Sequence, residues 1–311
     1  MKIAISLCTK DRPQMLAACL ASLVPAVMGR DGVEVVVVVV ENDVAPHSRE
    51  VAEGFAGRLA IHYVLETEPG IPFARNRGVE EGLALGCDWL IFIDDDEFVA
   101  EDWLDAYLGA IEAYDADAFT GPMIRIYPDS APSWKVDPPN LGRIPTGADE
   151  RCADTSNAMV RADVIRPDGR AMRFDTSLRH TGGEDTEFFW RLTKAGGRIV
   201  WVEEAKLYEE VPESRLSLDW NLARAKRTAS NAVRIIRMQD GGARAIRYAL
   251  TSAAHSAALG GARIGAGLVY LPVDRARTRR YLWTGAISLS RVLGFLGGLF
   301  GLTYQPYRTI E

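Results

Sequence analysis

The sequence predicts an α/β protein: a doubly wound, mostly parallel sheet over residues 1–214, followed by a helical C-terminal extension over residues 215–311. Three observations predict it. Short apolar runs alternate with helix-like segments at the spacing of β-α-β units. One run, Val33 to Val40, has seven valines in eight positions and no polar face, which suits a strand covered on both sides. Polar clusters stand where three of the runs end, and sheets of this kind bind their ligands at the carboxyl ends of the strands.

Ile3 to Leu7 reads as the first strand and leads into the polar Thr9-Lys10-Asp11-Arg12. Asp11-Arg12-Pro13 opens a helix from Gln14 to Leu23, where Met15, Leu16, Cys19, Leu20 and Leu23 recur at helical spacing. The valine strand ends in Glu41-Asn42-Asp43. Ile61 to Leu65 is the third strand, and Glu68-Pro69-Gly70-Ile71 leads into a helix from Pro72 to Leu85. Leu90 to Ile93 is the fourth, running straight into Asp94-Asp95-Asp96-Glu97. Beyond it, Trp103 to Tyr114 has the pattern of an amphipathic helix and Ala118 to Tyr127 that of a strand. Residues 128–149, rich in Pro, Gly and Asp, read as an irregular loop whose Trp134 either stacks on a sugar ring or plugs an apolar gap. Ala153 to Val160 is a further step from polar to apolar.

At 311 residues, with 48% hydrophobic and 25% charged side chains, the chain can bury a large core. Cys8, Cys19, Cys87 and Cys152 form no CxxC pair and have no metal-ligand spacing, so they read as reduced thiols. Met1-Lys2 runs directly into a strand without a signal-peptide pattern, which places the catalytic part in the cytosol. The net charge of -6 divides unevenly: 21 Lys and Arg against 38 Asp and Glu up to Ser214, a net -17, then 15 against 4, a net +11. Such asymmetry predicts different surroundings for the two parts. The basic part has no nucleic-acid-binding motif, and its small and apolar residues suit a membrane surface better.

Two acidic clusters carry the chemistry. Four carboxylates after a buried strand repel one another unless a cation or hydrogen-bond donors stabilise them, and hard divalent cations are held by one or two carboxylates with substrate phosphate oxygens. Asp94 and Asp96 therefore read as a metal and nucleotide site, against the alternative of a solvated acidic turn opening the next helix. Thr181-Gly182-Gly183-Glu184-Asp185 is the second cluster. Its glycines permit a tight turn, and Phe188, Phe189 and Leu192 mark the apolar face of a helix that starts at the carboxylates. A carboxylate fixed at a helix start has the defined direction that a general base requires, although a plain first-turn acid gives the same pattern. A GxGxxG turn and a Walker phosphate loop are both missing after the first strand.

Taken together, Ser6 to Pro13, Glu41-Asn42-Asp43, Pro69 to Asn76, Phe92 to Glu97 and Gly183-Glu184-Asp185 resemble, in order and over about two thirds of the chain, the family 2 glycosyltransferases of the GT-A fold. Tyr208 to Arg215 resembles more narrowly the bacterial exopolysaccharide enzymes of the succinoglycan type. The resemblance implies an inverting, metal-dependent transfer of a sugar from a nucleotide-sugar donor, a UDP-sugar, to a saccharide or lipid-linked saccharide acceptor. It implies that Thr9, Arg12, Asp43, Arg75, Asp94 and Asp95 line the nucleotide, that Asp96 with Asp94 holds Mn²⁺ or Mg²⁺, that Asp185 is the base and that Glu184 orients the acceptor. Many relatives place a metal-binding histidine after the glutamate-aspartate motif; here no histidine lies between His180 and His255, and Glu209 or Glu210 occupies that region. His180 reads as a surface residue that can also touch the acceptor.

Arg215 to Arg237 reads as a basic helix, followed by two long, nearly uncharged segments, Tyr248 to Val273 and Leu282 to Tyr304, each interrupted by one arginine. Both match the ~20 residues of a membrane span, but spanning would put Arg275 to Arg280 outside, against the positive-inside rule. The expectation is helices lying on the inner leaflet, at the cytoplasmic face of the bacterial inner membrane. The alternative is a soluble helical domain packed on the catalytic one. Two other functions compete: a non-catalytic binding protein that kept the fold, and a sugar-phosphate nucleotidyltransferase, which needs a glycine-rich basic loop that this chain lacks.

Overall fold

A computed structural model of the chain describes residues 1–30, 32–135 and 141–302; part of the 128–149 loop and the end of the 282–304 segment lie outside the described residues. The chain alternates β1 (Lys2–Thr9), α1 (Pro13–Val27), β2 (Glu34–Glu41), α2 (Arg49–Glu53), β3 (Ala60–Leu65), α3 (Ile71–Ala84) and β4 (Trp89–Asp94). These four strands are parallel. The valine strand β2 lies between β1 and β3, with Val37 and Val39 packed into the core on one face and Val38 and Val40 into the core on the other. This two-sided burial is why it lacks a polar face.

The second half of the sheet is mixed. After β5 (Glu97–Val99), α4 (Trp103–Ala113), β6 (Ala118–Thr120), β7 (Met123–Ile126) and β8 (Asp149–Glu150) come β9 (Ala158–Arg161), α5 (Ala162–Ile165), α6 (Glu184–Lys194), β10 (Ile199–Trp201) and β11 (Leu207–Glu210). The large sheet runs β3-β2-β1-β4-β9-β6-β10-β8, with β9 antiparallel to both its neighbours and β8 antiparallel to β10. The expected single strand from Ala118 to Tyr127 is two strands. Gly121-Pro122 separates them, and β7 leaves for a small sheet ordered β5-β11-β7. Proline has no N–H to donate to a ladder, so a strand that contains one ends or changes sheets there.

Asn157 ties this half together. Its side chain accepts from the Trp103 indole at 2.9 Å and the Tyr107 hydroxyl at 2.8 Å, and donates to the carbonyls of Pro122 at 3.2 Å and Ala205 at 2.7 Å. The extension forms three helices: α7 (Leu218–Asp240), α8 (Gly242–Tyr270) and α9 (Arg275–Leu299). Ala229, Val233 and Ile236 of α7, Ala245 and Ala249 of α8, and Phe295 of α9 share a core that also touches Trp190 of α6. Asn231 and Arg234 of α7 hydrogen-bond to Thr181 in the loop before α6. The helices therefore rest on the second acidic motif.

Candidate active site

Register fixes where the polar clusters meet. Cys8 of β1 stands opposite Val40 of β2 on one side and Asp94 of β4 on the other, and Thr9 stands opposite Glu41. The strand order reverses between β1 and β4, and in open α/β sheets the crevice at that reversal binds the ligand. Thr9 and Asp94 flank it. Its local architecture is set by Asn42, whose side chain donates to the carbonyls of Glu66 and Glu68 and accepts from the Gly70 amide at 2.9 Å, shaping the turn that launches α3.

Within this crevice the first acidic cluster is crowded. Asp95 is buried; it accepts from the Thr9 hydroxyl at 2.7 Å and from Arg12 at 3.3 Å. Burial nonetheless pushes its carboxyl up to about 6. Asp96 is also held above the usual carboxylate range, by desolvation first and then by repulsion from Asp94 and Glu209. Glu97 is buried, accepts from the Asp94 amide at 2.8 Å, and is raised well above its ordinary value by burial. Against these acids stand Arg12, 4.0 Å from Asp96, and Arg215, 3.5 Å from it. The negative charge exceeds the local positive charge. Such an all-oxygen donor set suits a hard divalent cation; Asp94 and Asp96 are the residues that would hold one, with Glu209 near enough to repel Asp96. Among the described residues no three carboxylate, His or Cys side chains form a ready-made metal cluster, so substrate oxygens would have to complete the coordination. Glu209 is the member of its pair that faces this cluster, paired with Arg215 and, at 3.5 Å, with Arg125; Glu210 is exposed.

Arg75 joins the two acidic motifs. It is only 6% exposed, and its guanidinium bonds Glu184 through one nitrogen and Asp94, at 3.3 Å, through the other. Burial pulls the Arg75 guanidinium down, but Glu184 and then Asp94 hold it above its ordinary value. Burial raises the Glu184 carboxyl in spite of Arg75, and its second oxygen has no hydrogen-bond partner. Arg75 is thus the buried link between β4 and α6. Asp185 follows Glu184 on α6. Gly182 and Gly183 both have positive φ, 74° and 88°, a conformation that side-chain-bearing residues seldom adopt, and this turn starts the helix at the two acids. The Asp185 carboxylate accepts from the amide and the hydroxyl of Thr186 through Oδ1.

The structure thus brings Thr9, Arg12, Asp94, Asp95, Asp96, Arg75 and Glu184 into one connected network. Asp43 lies half-buried at the end of β2, where its Oδ1 accepts from the Val44 amide. His180 accepts from its neighbour Arg179. Burial pushes the Cys8 thiol, beside this network, up to about 12, which leaves it inert. Sequence reasoning missed Asp154, whose carboxyl is raised by desolvation and then by Asp185. It also missed Arg215 and Arg125 as partners of Glu209.

Comparisons with known proteins decide the family. The model of glycosyl transferase family 2 matches residues 4–167, and that of glycosyl transferase family group 2 matches residues 153–307. The chain belongs to glycosyl transferase family 2. It is 33% identical, over 96% of its own length and 94% of the relative's, to the succinoglycan biosynthesis protein ExoM of Rhizobium meliloti (strain 1021). Among solved structures it resembles S. aureus TarS 1-349 in complex with UDP-GlcNAc, with a TM-score of 0.56 and 16% identity, covering 76% of this chain and 67% of that one. The UDP complex of the same fragment gives a TM-score of 0.54, covering 98% of this chain and 93% of that one. The chain spans only 39% of the longer TarS structure. At this identity the TarS likeness shows the glycosyltransferase fold, whose mostly parallel sheet and helical C-terminal region match the prediction.

Proposed function

We propose that this family 2 glycosyltransferase inverts the anomeric carbon as it moves a sugar from a UDP-sugar to a saccharide or lipid-linked saccharide acceptor in exopolysaccharide synthesis. The observation that carries the reading is Arg75: one buried guanidinium holds the first acidic motif through Asp94 and the second through Glu184, which supports reading the two carboxylate groups as one site. The succinoglycan name of the ExoM relative supports the pathway class, and the UDP-GlcNAc complex of the TarS fragment supports a UDP-sugar donor.

In this reading Thr9, Arg12, Asp43 and Asp95 flank the nucleotide at the strand ends. Asp96, with Asp94, would hold Mn²⁺ or Mg²⁺, which when bound neutralises charge on the departing diphosphate. Asp185 takes the proton of an acceptor hydroxyl as that oxygen bonds to the anomeric carbon. The carbon–oxygen bond to the diphosphate breaks on the opposite face, its electron pair leaving with UDP, and the configuration inverts. Glu184, fixed by Arg75, orients the acceptor. The helices α8 and α9 expose Ile246, Leu250, Leu289 and Leu293, and α9 is long and apolar enough to cross a membrane. With the arginines at 275–280, these exposed residues support contact with the cytoplasmic face of the bacterial inner membrane.

The test is a nucleotide-sugar panel with Mn²⁺ or Mg²⁺ and a membrane-lipid extract as acceptor. One donor should be consumed, EDTA should stop the reaction, and Asp185→Asn should lower transfer by about 10²–10⁴-fold, the usual contribution of a general base, while UDP still binds. Transfer by Asp185→Asn near the normal rate would remove the base assignment.

A further inference from the structure

A large cavity lies outside the strand-end crevice, between the 125–135 segment and the three C-terminal helices. It measures about 920 Å³, at the upper end of the ~300–1,000 Å³ of small-ligand sites. Two features of its wall are chemical. Three of the chain's seven tryptophans line it, Trp134, Trp220 and Trp283, each from a different segment. Five Lys and Arg side chains line it as well, Arg125, Lys135, Arg215, Arg224 and Arg291, and no Asp or Glu does.

The aromatic groups are set against the cations. Trp134 meets Trp283 edge-on at 5.5 Å, the Lys135 ammonium lies 4.7 Å from the Trp283 ring, and the Arg224 guanidinium lies 5.1 Å from Trp220. The wall thus combines aromatic surface, which packs against sugar rings, with cations, which attract an anion. The cations also disfavour one another: Arg224 is held below its ordinary value by desolvation and then by Arg125 and Arg215. A set of like charges around an open space is stabilised by an anion placed between them. Arg215 and Arg125 connect the cavity to the acidic cluster, since both pair with Glu209 and Arg215 also meets Asp96. A molecule in the cavity therefore lies beside the cleft in which transfer occurs.

We infer that this cavity is the acceptor subsite, and that it takes a saccharide bearing a phosphate or diphosphate, the sugar against Trp134 and Trp283 and the anion between Arg224 and Arg291. The inference rests on the glycosyltransferase reading and narrows its acceptor class. A neutral saccharide would leave Arg224 and Arg291 without the counter-charge that Glu209 gives Arg125 and Arg215. The donor's own diphosphate belongs at the strand ends, so donor and acceptor anions occupy separate places.

The experiment follows intrinsic tryptophan fluorescence of the full chain with UDP and Mn²⁺ at saturation. The probes are inorganic pyrophosphate, a polyprenyl diphosphate in detergent micelles, and the same unphosphorylated prenol in those micelles. Both phosphorylated probes are expected to change the emission while the prenol does not. Tighter binding of the polyprenyl diphosphate than of pyrophosphate identifies a lipid-linked acceptor, and equal binding a soluble phosphorylated one. Arg224→Gln with Arg291→Gln should weaken binding by about tenfold or more, the scale of a lost hydrogen bond to a charged group. Trp134→Phe, Trp220→Phe and Trp283→Phe together should remove the signal. With the active donor, the arginine double variant should raise KM for the phosphorylated acceptor and leave KM for the donor in place, with an unchanged far-ultraviolet spectrum as the check on folding. Binding of either phosphorylated probe only when UDP is left out, equal binding of the prenol, or unweakened binding by the arginine variant would overturn the inference. If no donor on the panel is consumed, it is the glycosyltransferase reading that fails, and the fluorescence result still stands on its own.

Discussion

Replacing Arg75 with methionine removes a buried cation from between two carboxylates. Arg75 is 6% exposed and Glu184 4% exposed, so the Glu184 carboxylate would lose its counter-charge in a site that water reaches poorly. Its Oε2 already has no hydrogen-bond partner. Breaking a buried pair from one side costs roughly 3–5 kcal/mol, because the remaining charge is uncompensated. Asp94, whose side chain is 39% exposed, is solvated and adds little to that cost. The pH dependence has a definite sign. Burial already raises Glu184 above its ordinary value of 4.5, and without Arg75 the group moves higher still. A folded state that holds its proton more tightly than the unfolded state is favoured at low pH and loses that advantage as pH rises through the folded value. The destabilisation by Arg75→Met should therefore be smallest near pH 5 and grow toward pH 8. Urea unfolding at several pH values measures it, and Arg75→Met with Glu184→Met should recover most of the loss, since an apolar pair of similar volume often replaces a buried ion pair without cost. A loss under about 1 kcal/mol at pH 8, or a loss that grows on acidification, would refute the placement of Arg75 as the buried link between the two motifs.

Asp95, pushed up to about 6 from 3.8 by burial, stabilises the native state most when protonated. Its contribution should fade as pH rises from about 4 to about 6, and Asp95→Asn should flatten the unfolding free energy across that window. Asn157→Leu keeps the volume but leaves the Trp103 indole and the Pro122 and Ala205 carbonyls without their partner. At about 1–3 kcal/mol for each buried group left unsatisfied, the variant should lose at least roughly 3 kcal/mol in urea unfolding. A Cβ on Gly294 of α9 would come within 2.2 Å of the Lys226 carbonyl of α7, so Gly294→Val should part the two helices and expose the extension to limited proteolysis. Gly265→Ala, where the added Cβ meets nothing, should leave the cleavage pattern unchanged.

The parallel half of the sheet was legible because its signal is local. Each of β1 to β4 is an apolar run bounded by polar residues, and two-sided burial leaves a mark on every residue of β2. The other half left no comparable mark. Strands β8 and β10 have two and three residues, and Ala118 pairs with Val160, a partner that no local pattern names. The Gly121-Pro122 step was visible and is sufficient reason for a break, but the periodicity on either side suggested continuity. Of the site, the carboxylates could be found because adjacent acids at a strand end are electrostatically costly. Arg12 and Arg75 were named beside the nucleotide by the resemblance, but which acid each cation pairs with could not be read. Arg75 looks like any helical arginine until the fold shows it buried between two acids, and Arg215 reaches Asp96 only because the chain turns back beside β11.

That return changes the meaning of the charge division. A net -17 followed by a net +11 suggests two parts facing different surroundings, yet Arg215, the first residue of the basic part, pairs with Asp96 and Glu209 of the acidic part. Part of the positive charge is thus directed inward, onto the acids that would otherwise repel one another at the strand ends. Arg12 and Arg215 both pair with Asp96: in the proposed reading a divalent ion brought with a diphosphate would compete with them for that carboxylate, and Arg215, released from it, would still line the tryptophan-lined cavity. Binding at the strand ends would thereby be coupled to the charge of that cavity. Arg215→Gln should consequently strengthen Mn²⁺ binding by the protein alone, measured by calorimetry, while raising KM for a phosphorylated acceptor. If the variant left both quantities unchanged, the acidic cleft and the basic cavity would be independent sites, and the proximity of their charges would have no functional consequence.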